Sequence, residues 1–415
     1  MIVNLEASYF KGLRWFSITP KNVNLIIGAN GTGKTNFADL IDFLSLTCRF
    51  GLKEAFERHG GLDEVRTKLP GGGRPPALKC AIVLDRDNYR GIEQGKYSFT
   101  LSASKGLVVD EEELDTVIYA RSVGRPSSSE RVKFDKSKKI SLRFKRKKET
   151  IEAWSEDSLG LNPRIFEDEQ NLILNAYGKL SNFRTISDYL SAMRVYNIDS
   201  TLAKQSSNGN DIELERSGSN LISFLKRVLV DEGAKEKLLN DLRYAVPYIK
   251  DIVPEKILNY TTLRFSEVDS KLDFRAQQMS DGTIRLLGLL ALLRQTLPPP
   301  LVVIEEPENA LHSYAVRTLL RIAMEVSALD RLPTQVFLTS HSPAVVDEVL
   351  GLEPQQTTAT AGFVAKRKKG AGTIEPVSIS IIKAISKNLG RPSDFLREGS
   401  FEDGPVQLEM EFGKQ

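Results

Sequence analysis

Apolar and polar positions alternate at the start of the chain, so Met1 to Ser8 reads as a strand, and the all-apolar run Val23 to Ile27 reads as a second one ending at Gly28. Beyond that break Phe37, Leu40, Ile41 and Leu44 recur at helical spacing, which predicts a helix from Asn36. After the Gly- and Pro-rich stretch Leu69 to Pro76, a period of two returns in Leu78 to Leu84, Tyr97 to Ala103, Val117 to Arg121 and Ile140 to Lys145, the pattern of antiparallel strands. From Glu152 to Ile257 the period lengthens. Leu221, Phe224, Leu225 and Val228, then Leu238, Leu242, Val246 and Ile249, fit helical faces and predict a helical insertion, interrupted by a mobile polar loop at Gln205 to Asp211. The last third alternates again: a buried helix Thr283 to Gln295, a strand Leu301 to Ile304, a helix His312 to Ala328 and a strand Gln335 to Thr339. Short strands that are apolar on both faces belong to a parallel sheet covered on both sides. No internal repeat is present. The expected organisation is an N-terminal lobe over 1–150, a mainly helical insertion over 151–270 and a C-terminal lobe over 271–415.

The 415 residues suffice for two or three structural units with a sizeable core. No apolar run reaches the length of a membrane helix and the N-terminus lacks the apolar core of a signal peptide, so a cytoplasmic protein without a membrane is expected. Cys48 and Cys80 form no CxxC pair and no disulfide framework, which argues against structural zinc. With three histidines, His59, His312 and His341, a hydrolase built on several His ligands is disfavoured. The net charge of +3 is unevenly spread, because Arg131 to Thr150 alone carries a local excess of +8.

Gly28-Ala29-Asn30-Gly31-Thr32-Gly33-Lys34-Thr35 matches the P-loop pattern in full, between a predicted strand and a predicted helix. Residues Asn30 to Asn36 are therefore the expected nucleotide contacts. Backbone N–H groups curl round the phosphates of ATP, Lys34 reaches the β and γ phosphates, and Thr35 ligates Mg²⁺. The run Leu301-Val302-Val303-Ile304-Glu305-Glu306 delivers two carboxylates at a strand end, the Walker B pattern. Side chains alternate along a strand, so Glu305 is assigned to the metal and Glu306 to the attacking water. His341 follows the next core strand within Thr339-Ser340-His341-Ser342-Pro343 and is placed to reach the γ-phosphate. Ahead of the buried helix stands Ser280-Asp281-Gly282, where a serine is either a helix N-cap or part of a second phosphate cradle. The outward alternation of Ile140 to Lys145 aims Arg143 and Lys145 at solvent, and with Arg146 and Lys147 they form a candidate surface for double-stranded DNA.

These four motifs, in this order, resemble the head domain of ABC-type ATPases of the RecF/SMC/OLD group, and more closely the stand-alone bacterial AAA-family ATPases found in phage-defence operons. The matching stretches are Asn4 to Phe10 with the P-loop, Leu214 to Leu221, Ser280 to Thr283, Glu305 to Leu311, and Thr339 to Pro343. The resemblance implies a P-loop NTPase fold with a mixed sheet, an antiparallel β subdomain and a helical insertion. It also implies a head-to-tail homodimer, or a higher even assembly, that closes on two Mg²⁺–ATP complexes. In it the Ser280-to-Gly282 signature of one copy completes the site of the other. Walker B carries Glu305 where the wider group has Asp, and no Q-loop is placed; Gln94 is read as an exposed turn residue. A gap of 246 residues between Lys34 and Ser280 argues against a transporter subunit. Asp85-Arg86-Asp87 reads as a charged hairpin turn, so a nuclease effector is expected on a separate polypeptide. Two outputs remain open: a switch that grips DNA in defence or repair, or an ATP-gated scaffold for a nuclease or toxin without direct DNA contact.

Overall fold

The computed structural model describes residues 1–68, 73, 75, 77–102, 107–121, 133–154, 170–178, 182–209, 211, 213–351, 359–368, 370–377, 387 and 390–397. In chain order its main elements are β1 (Ile2–Phe10), β2 (Leu13–Ile18), β3 (Val23–Ile27), α1 (Lys34–Phe50), α2 (Leu52–Arg58), α3 (Leu62–Val65), β4 (Ala77–Leu84), β5 (Ile92–Ser102), β6 (Val108–Arg121), β7 (Phe134–Lys147), β8 (Thr150–Trp154), α4 (Ile173–Tyr177), α5 (Arg184–Ser191), β9 (Arg194–Tyr196), α6 (Ser200–Ala203), α7 (Leu221–Val228), α8 (Glu232–Ala245), β10 (Ile249–Ile257), β11 (Tyr260–Glu267), β12 (Asp273–Arg275), α9 (Asp281–Arg294), β13 (Leu301–Glu305), α10 (Ser313–Ser327), β14 (Gln335–Ser340), α11 (Pro343–Leu350), β15 (Thr360–Lys368) and β16 (Ala371–Pro376). No helix among the described residues is long and apolar enough to cross a membrane.

The chain forms two compact units, each discontinuous in sequence. The first gathers Met1–Lys21, Gly28–Met193 and Phe363–Val377; the second gathers Asn22–Ile27, Arg194–Gly362 and Ser378–Gln415. This departs from the three consecutive segments expected. The cause is strand pairing: β3 lies parallel to β14, and β16 lies against β2, so early and late segments share each unit.

In the first unit β8, β7, β6, β5, β4, β1 and β2 follow one another as antiparallel neighbours. β5, β6 and β7 run longer than the apolar alternation implied. The acidic run Asp110 to Glu113 hides the first half of β6, and Lys136 to Lys139 hides that of β7. Helix α1 buries Phe37, Leu40, Ile41 and Leu44 as its spacing requires. Asp87 closes the turn at Asp85 to Asp87 by accepting from the Arg90 backbone N–H at 3.0 Å and its guanidinium at 2.7 Å, a hairpin turn as expected. Gln94 is exposed but lies on β5, opposite Val117, not in a turn. Burial pushes the Cys48 thiol up to about 12 and raises that of Cys80 as well, which leaves both unreactive.

In the second unit β3, β14, β13 and β9 are parallel, and every residue of β3, β13 and β14 is buried. Helix α9 is buried all round from Thr283 to Leu293, and α6, α7, α8 and α10 pack on it. The helical insertion is only partly helical. α8 stops at Ala245, because Pro247 follows and the residue before a proline is driven out of helical geometry; Val246 has φ −130°. Ile249 then opens β10, and β10, β11 and β12 form a separate antiparallel sheet. The polar stretch at 205–211, expected as mobile, is pinned at Ser207 by two backbone bonds to Thr261 of 3.0 and 2.7 Å.

Candidate functional site

The P-loop leaves the end of β3 and turns into α1. Gly33 is the N-cap, at φ 115°, and among the described residues no side-chain hydrogen bond caps the helix. The Lys34 ammonium is buried, donating to the Gly28 and Ala29 carbonyls at 2.7 and 2.9 Å, and the Thr32 hydroxyl donates to Ala29 at 2.8 Å. Asn30, Gly31 and Thr35 are exposed at the mouth and Asn36 is half-buried. Gly31 has φ 78°, and a Cβ there would meet nothing within 4 Å. The loop thus keeps open space above Gly31. It borders a cleft of about 510 Å³ lined by Gly31, Thr32, Gly33 and Asn36 together with Lys11, His59, Arg66, Lys68 and Arg367, a strongly cationic wall relieved by Glu64.

The carboxylates of the second unit are fixed from the backbone up. β13 runs between β14 and β9 and ends at Glu305, whose side chain is 4% exposed and takes the Arg216 guanidinium on Oε1 at 2.5 Å. Glu306 then adopts a left-handed φ of 44°, a strained conformation for a glutamate. Four contacts hold it there. Its N–H donates to the Thr339 carbonyl at 2.9 Å, its carbonyl accepts from Asn309 at 3.0 Å and from Arg285 at 3.0 Å, and its Oε2 accepts from the Asn309 amide at 2.8 Å. That turns Oε1 toward His341 Nδ1, 3.4 Å away. Glu308 backs the histidine: its Oε1 accepts from the Ser340 hydroxyl at 2.6 Å and from the His341 N–H at 3.3 Å. Its Oε2 is buried with no hydrogen-bond partner among the described residues.

Arg285 organises this end of the strand. Its guanidinium lies inside the otherwise apolar α9 and donates to the carbonyls of Ile198, Glu305 and Glu306. Burial pulls its pKa down, and Glu308, Glu306 and Asp199 pull it back up. Sequence reasoning gave no role to Arg216, Arg285, Glu308, Asn309 or Ser340. A single charge inside a helix apolar on every side was the legible sign for Arg285. Arg216 and Glu308 stood inside stretches already singled out.

Residues 23–347 match the family described as "AAA domain, putative AbiEii toxin, Type IV TA system". The chain belongs to this AAA-domain family. The matched range holds the P-loop, Glu305, Glu306 and His341. No curated protein matches the sequence. Among solved structures, an SMC head bound to the C-winged helix domain of ScpA is 13% identical, with 91% of this chain and 98% of that one covered and a TM-score of 0.54. An SMC head with an extended coiled coil from Pyrococcus furiosus, bound to the C-terminal domain of ScpA, is also 13% identical, at 94% and 99% coverage and a TM-score of 0.52. The fold is that of SMC head domains, and an ATP-binding P-loop ATPase is the activity that goes with this AAA-domain family.

At the signature, Ser280 is the N-cap of α9. Its hydroxyl accepts the Thr283 N–H at 3.2 Å and lies 2.8 Å from the Thr283 hydroxyl. Asp281 is held below the usual carboxylate range by the Lys204 ammonium, 2.5 Å away. A Cβ on Gly282 would come within 2.4 Å of the Ala310 carbonyl, so only glycine lets α9 approach the loop after Glu308 this closely.

The basic stretch differs from expectation. Register sets Arg143 opposite Asp115, Lys145 opposite Glu113, Arg146 opposite Glu112 and Lys147 opposite Glu111. Each cation of the candidate DNA surface therefore faces a carboxylate across the strand pair. Arg146 is corrected outright: it shares the buried face with Leu142 and Phe144, is fully enclosed, and donates to the Lys148 and Asn171 carbonyls. Its parity, even with Phe144, dictates this. Arg131 lies outside the described residues. In a second basic run of the sequence, Lys366-Arg367-Lys368-Lys369, Lys366 and Lys368 both reach Glu375, at 3.4 and 2.6 Å, and Lys369 is outside the described residues.

Proposed function

We propose that this chain is a cytoplasmic, Mg²⁺-dependent ATPase that dimerises head to tail on ATP and thereby gates a separate effector protein. The observation that carries the reading is Glu306, kept in a strained backbone conformation with one carboxylate oxygen fixed by Asn309 and the other turned to His341. Strain of this kind clusters at functional sites, where surrounding contacts hold it in place. When bound, Mg²⁺–ATP supplies a phosphoanhydride open to in-line attack by water. The Gly31 rim and the amides at the start of α1 accept its phosphates, with Lys34 neutralising charge and Thr35 and Glu305 as oxygen ligands for the metal. Glu306 orients the attacking water and takes its proton on the carboxylate. His341, steadied by Glu308, responds to the γ-phosphate. Ser280 to Gly282 complete the partner copy's site.

Two outputs compete: direct grip on double-stranded DNA, and control of a nuclease or toxin partner in phage defence or DNA repair. The acidic partners opposite Arg143, Lys145 and Lys147 support the partner protein, since a neutralised face attracts phosphates weakly. The test is steady-state ATP hydrolysis with and without double-stranded DNA. Lys34→Ala should lose ATP binding. Glu306→Gln should keep it, accumulate a closed dimer and lose turnover by at least about 100-fold, the usual contribution of a positioned base. Turnover unchanged in Glu306→Gln would remove it from the chemistry. DNA stimulation that disappears in the Arg143, Lys145 and Lys147→Glu variant, and falls steeply from about 50 to 200 mM salt, would restore the DNA reading.

A further inference from the structure

Glu305, the buried carboxylate at the end of β13, already has a cation on it, and that cation comes from a segment with no role in the nucleotide site described above. Strand register explains how it arrives. β9 pairs with β13 as Arg194 with Val302, Val195 with Val303 and Tyr196 with Ile304, so the chain leaves β9 at Asn197 level with Glu305. The Asn197 N–H donates to the Arg216 carbonyl and the Asp199 N–H to the Ser217 carbonyl, each at 2.8 Å, which clamps the 216–217 backbone beside the strand end. From there the Arg216 guanidinium reaches Glu305 Oε1 at 2.5 Å. The carboxylate is 4% exposed while Arg216 is 34% exposed, so the cation reaches it from the more exposed side.

We propose that Arg216 is a resident counter-cation of Glu305, which a divalent metal must displace. This rests on the assignment of Glu305 to the metal. A buried carboxylate is costly without a cation, so Arg216 stabilises the metal-free state. With Arg216 on Oε1, a divalent ion held by the same carboxylate would stand beside a guanidinium and be repelled by it, so the ion and Arg216 compete for Glu305. The release is transmitted along the chain. Arg216 belongs to a turn closed by the Glu215 N–H on Asn220 Oδ1 at 2.9 Å and by Gly218 at φ 75°, and Asn220 is the N-cap of α7. Metal occupancy thus sets the position of the segment that leads into α7, a route by which the nucleotide state reaches surface outside the ATPase motifs.

The test measures Mn²⁺ binding by electron paramagnetic resonance, with protein in excess over a non-hydrolysable ATP analogue, in wild type, Arg216→Gln and Arg216→Lys. Removing the competing charge should tighten Mn²⁺ binding by about fivefold in Arg216→Gln, the ratio equivalent to one partly exposed ion pair. Arg216→Lys, which keeps a point charge but loses the fork, should tighten it by about threefold and decides the matter if the Gln variant does not fold. In EDTA, Arg216→Gln should melt below wild type, and the gap should close on adding Mn²⁺ and analogue; a purely structural role leaves the gap in place. Equal or weaker Mn²⁺ affinity in both variants, with wild-type circular dichroism, overturns the proposal. No Mn²⁺ bound by wild type beyond that held by the analogue alone overturns the metal assignment of Glu305 and the counter-cation with it.

Discussion

Replacing Glu112 by glutamine should change how stability depends on pH. Glu112 is fully buried on β6, opposite Arg146, and accepts from the Tyr97 hydroxyl at 2.9 Å and from the Ile173 and Leu174 N–H groups at 2.7 and 3.1 Å. Burial pushes its carboxyl up to about 7, against the lowering pull of these donors and of Arg146. The unfolded chain ionises Glu112 from about pH 4.5, while the folded chain keeps the proton until about pH 7. A raised carboxyl contributes stability below the unfolded value and loses it as pH climbs through the folded one. Wild type should therefore weaken between about pH 5 and 8, by at most about 3 kcal/mol from this group. Glu112→Gln cannot titrate. It lacks this contribution, so the difference between the two proteins should move by up to about 3 kcal/mol in favour of the variant as pH rises over that window. Urea midpoints at 25 °C across pH 5 to 8 measure it, read on the transition that exposes the first unit. A difference that stays constant over the series refutes the reasoning.

Two further substitutions probe the sites directly. Arg285→Met strips a buried donor from the Ile198, Glu305 and Glu306 carbonyls and should destabilise the second unit by about 3 kcal/mol, with turnover lost alongside; a urea midpoint within about 1 kcal/mol of wild type contradicts the role given to it. Gly31→Ala places its methyl in open space, so it should melt within a few degrees of wild type, paying only the roughly 1 kcal/mol of a left-handed alanine. Its ATP affinity should fall at least about tenfold, because the methyl stands on the rim where phosphate sits; unchanged affinity in isothermal titration rules that rim out.

The nucleotide motifs were readable in the sequence because each is local. The P-loop needs glycines at set spacings and a lysine at the head of a helix, and Glu305 and Glu306 need only an apolar strand to carry them. Parity along β7 was legible too, and carried one step past Lys145 it would have put Arg146 inside. What stayed hidden depends on partners far away in the chain. Whether Arg143, Lys145 and Lys147 make a basic face depends on β6, whose acids face them only through strand register. The antiparallel sheet β10–β12 lay behind a helical periodicity that a proline cuts off. Arg216 meets Glu305 because β9 lies beside β13, and Glu306 is strained because Thr339, Asn309 and Arg285 converge on it. Local spacing specifies chemistry that one turn of backbone can present. Charge pairing, strain and the cation on a buried carboxylate are set by which strands become neighbours, and that is decided by the packing of the whole core.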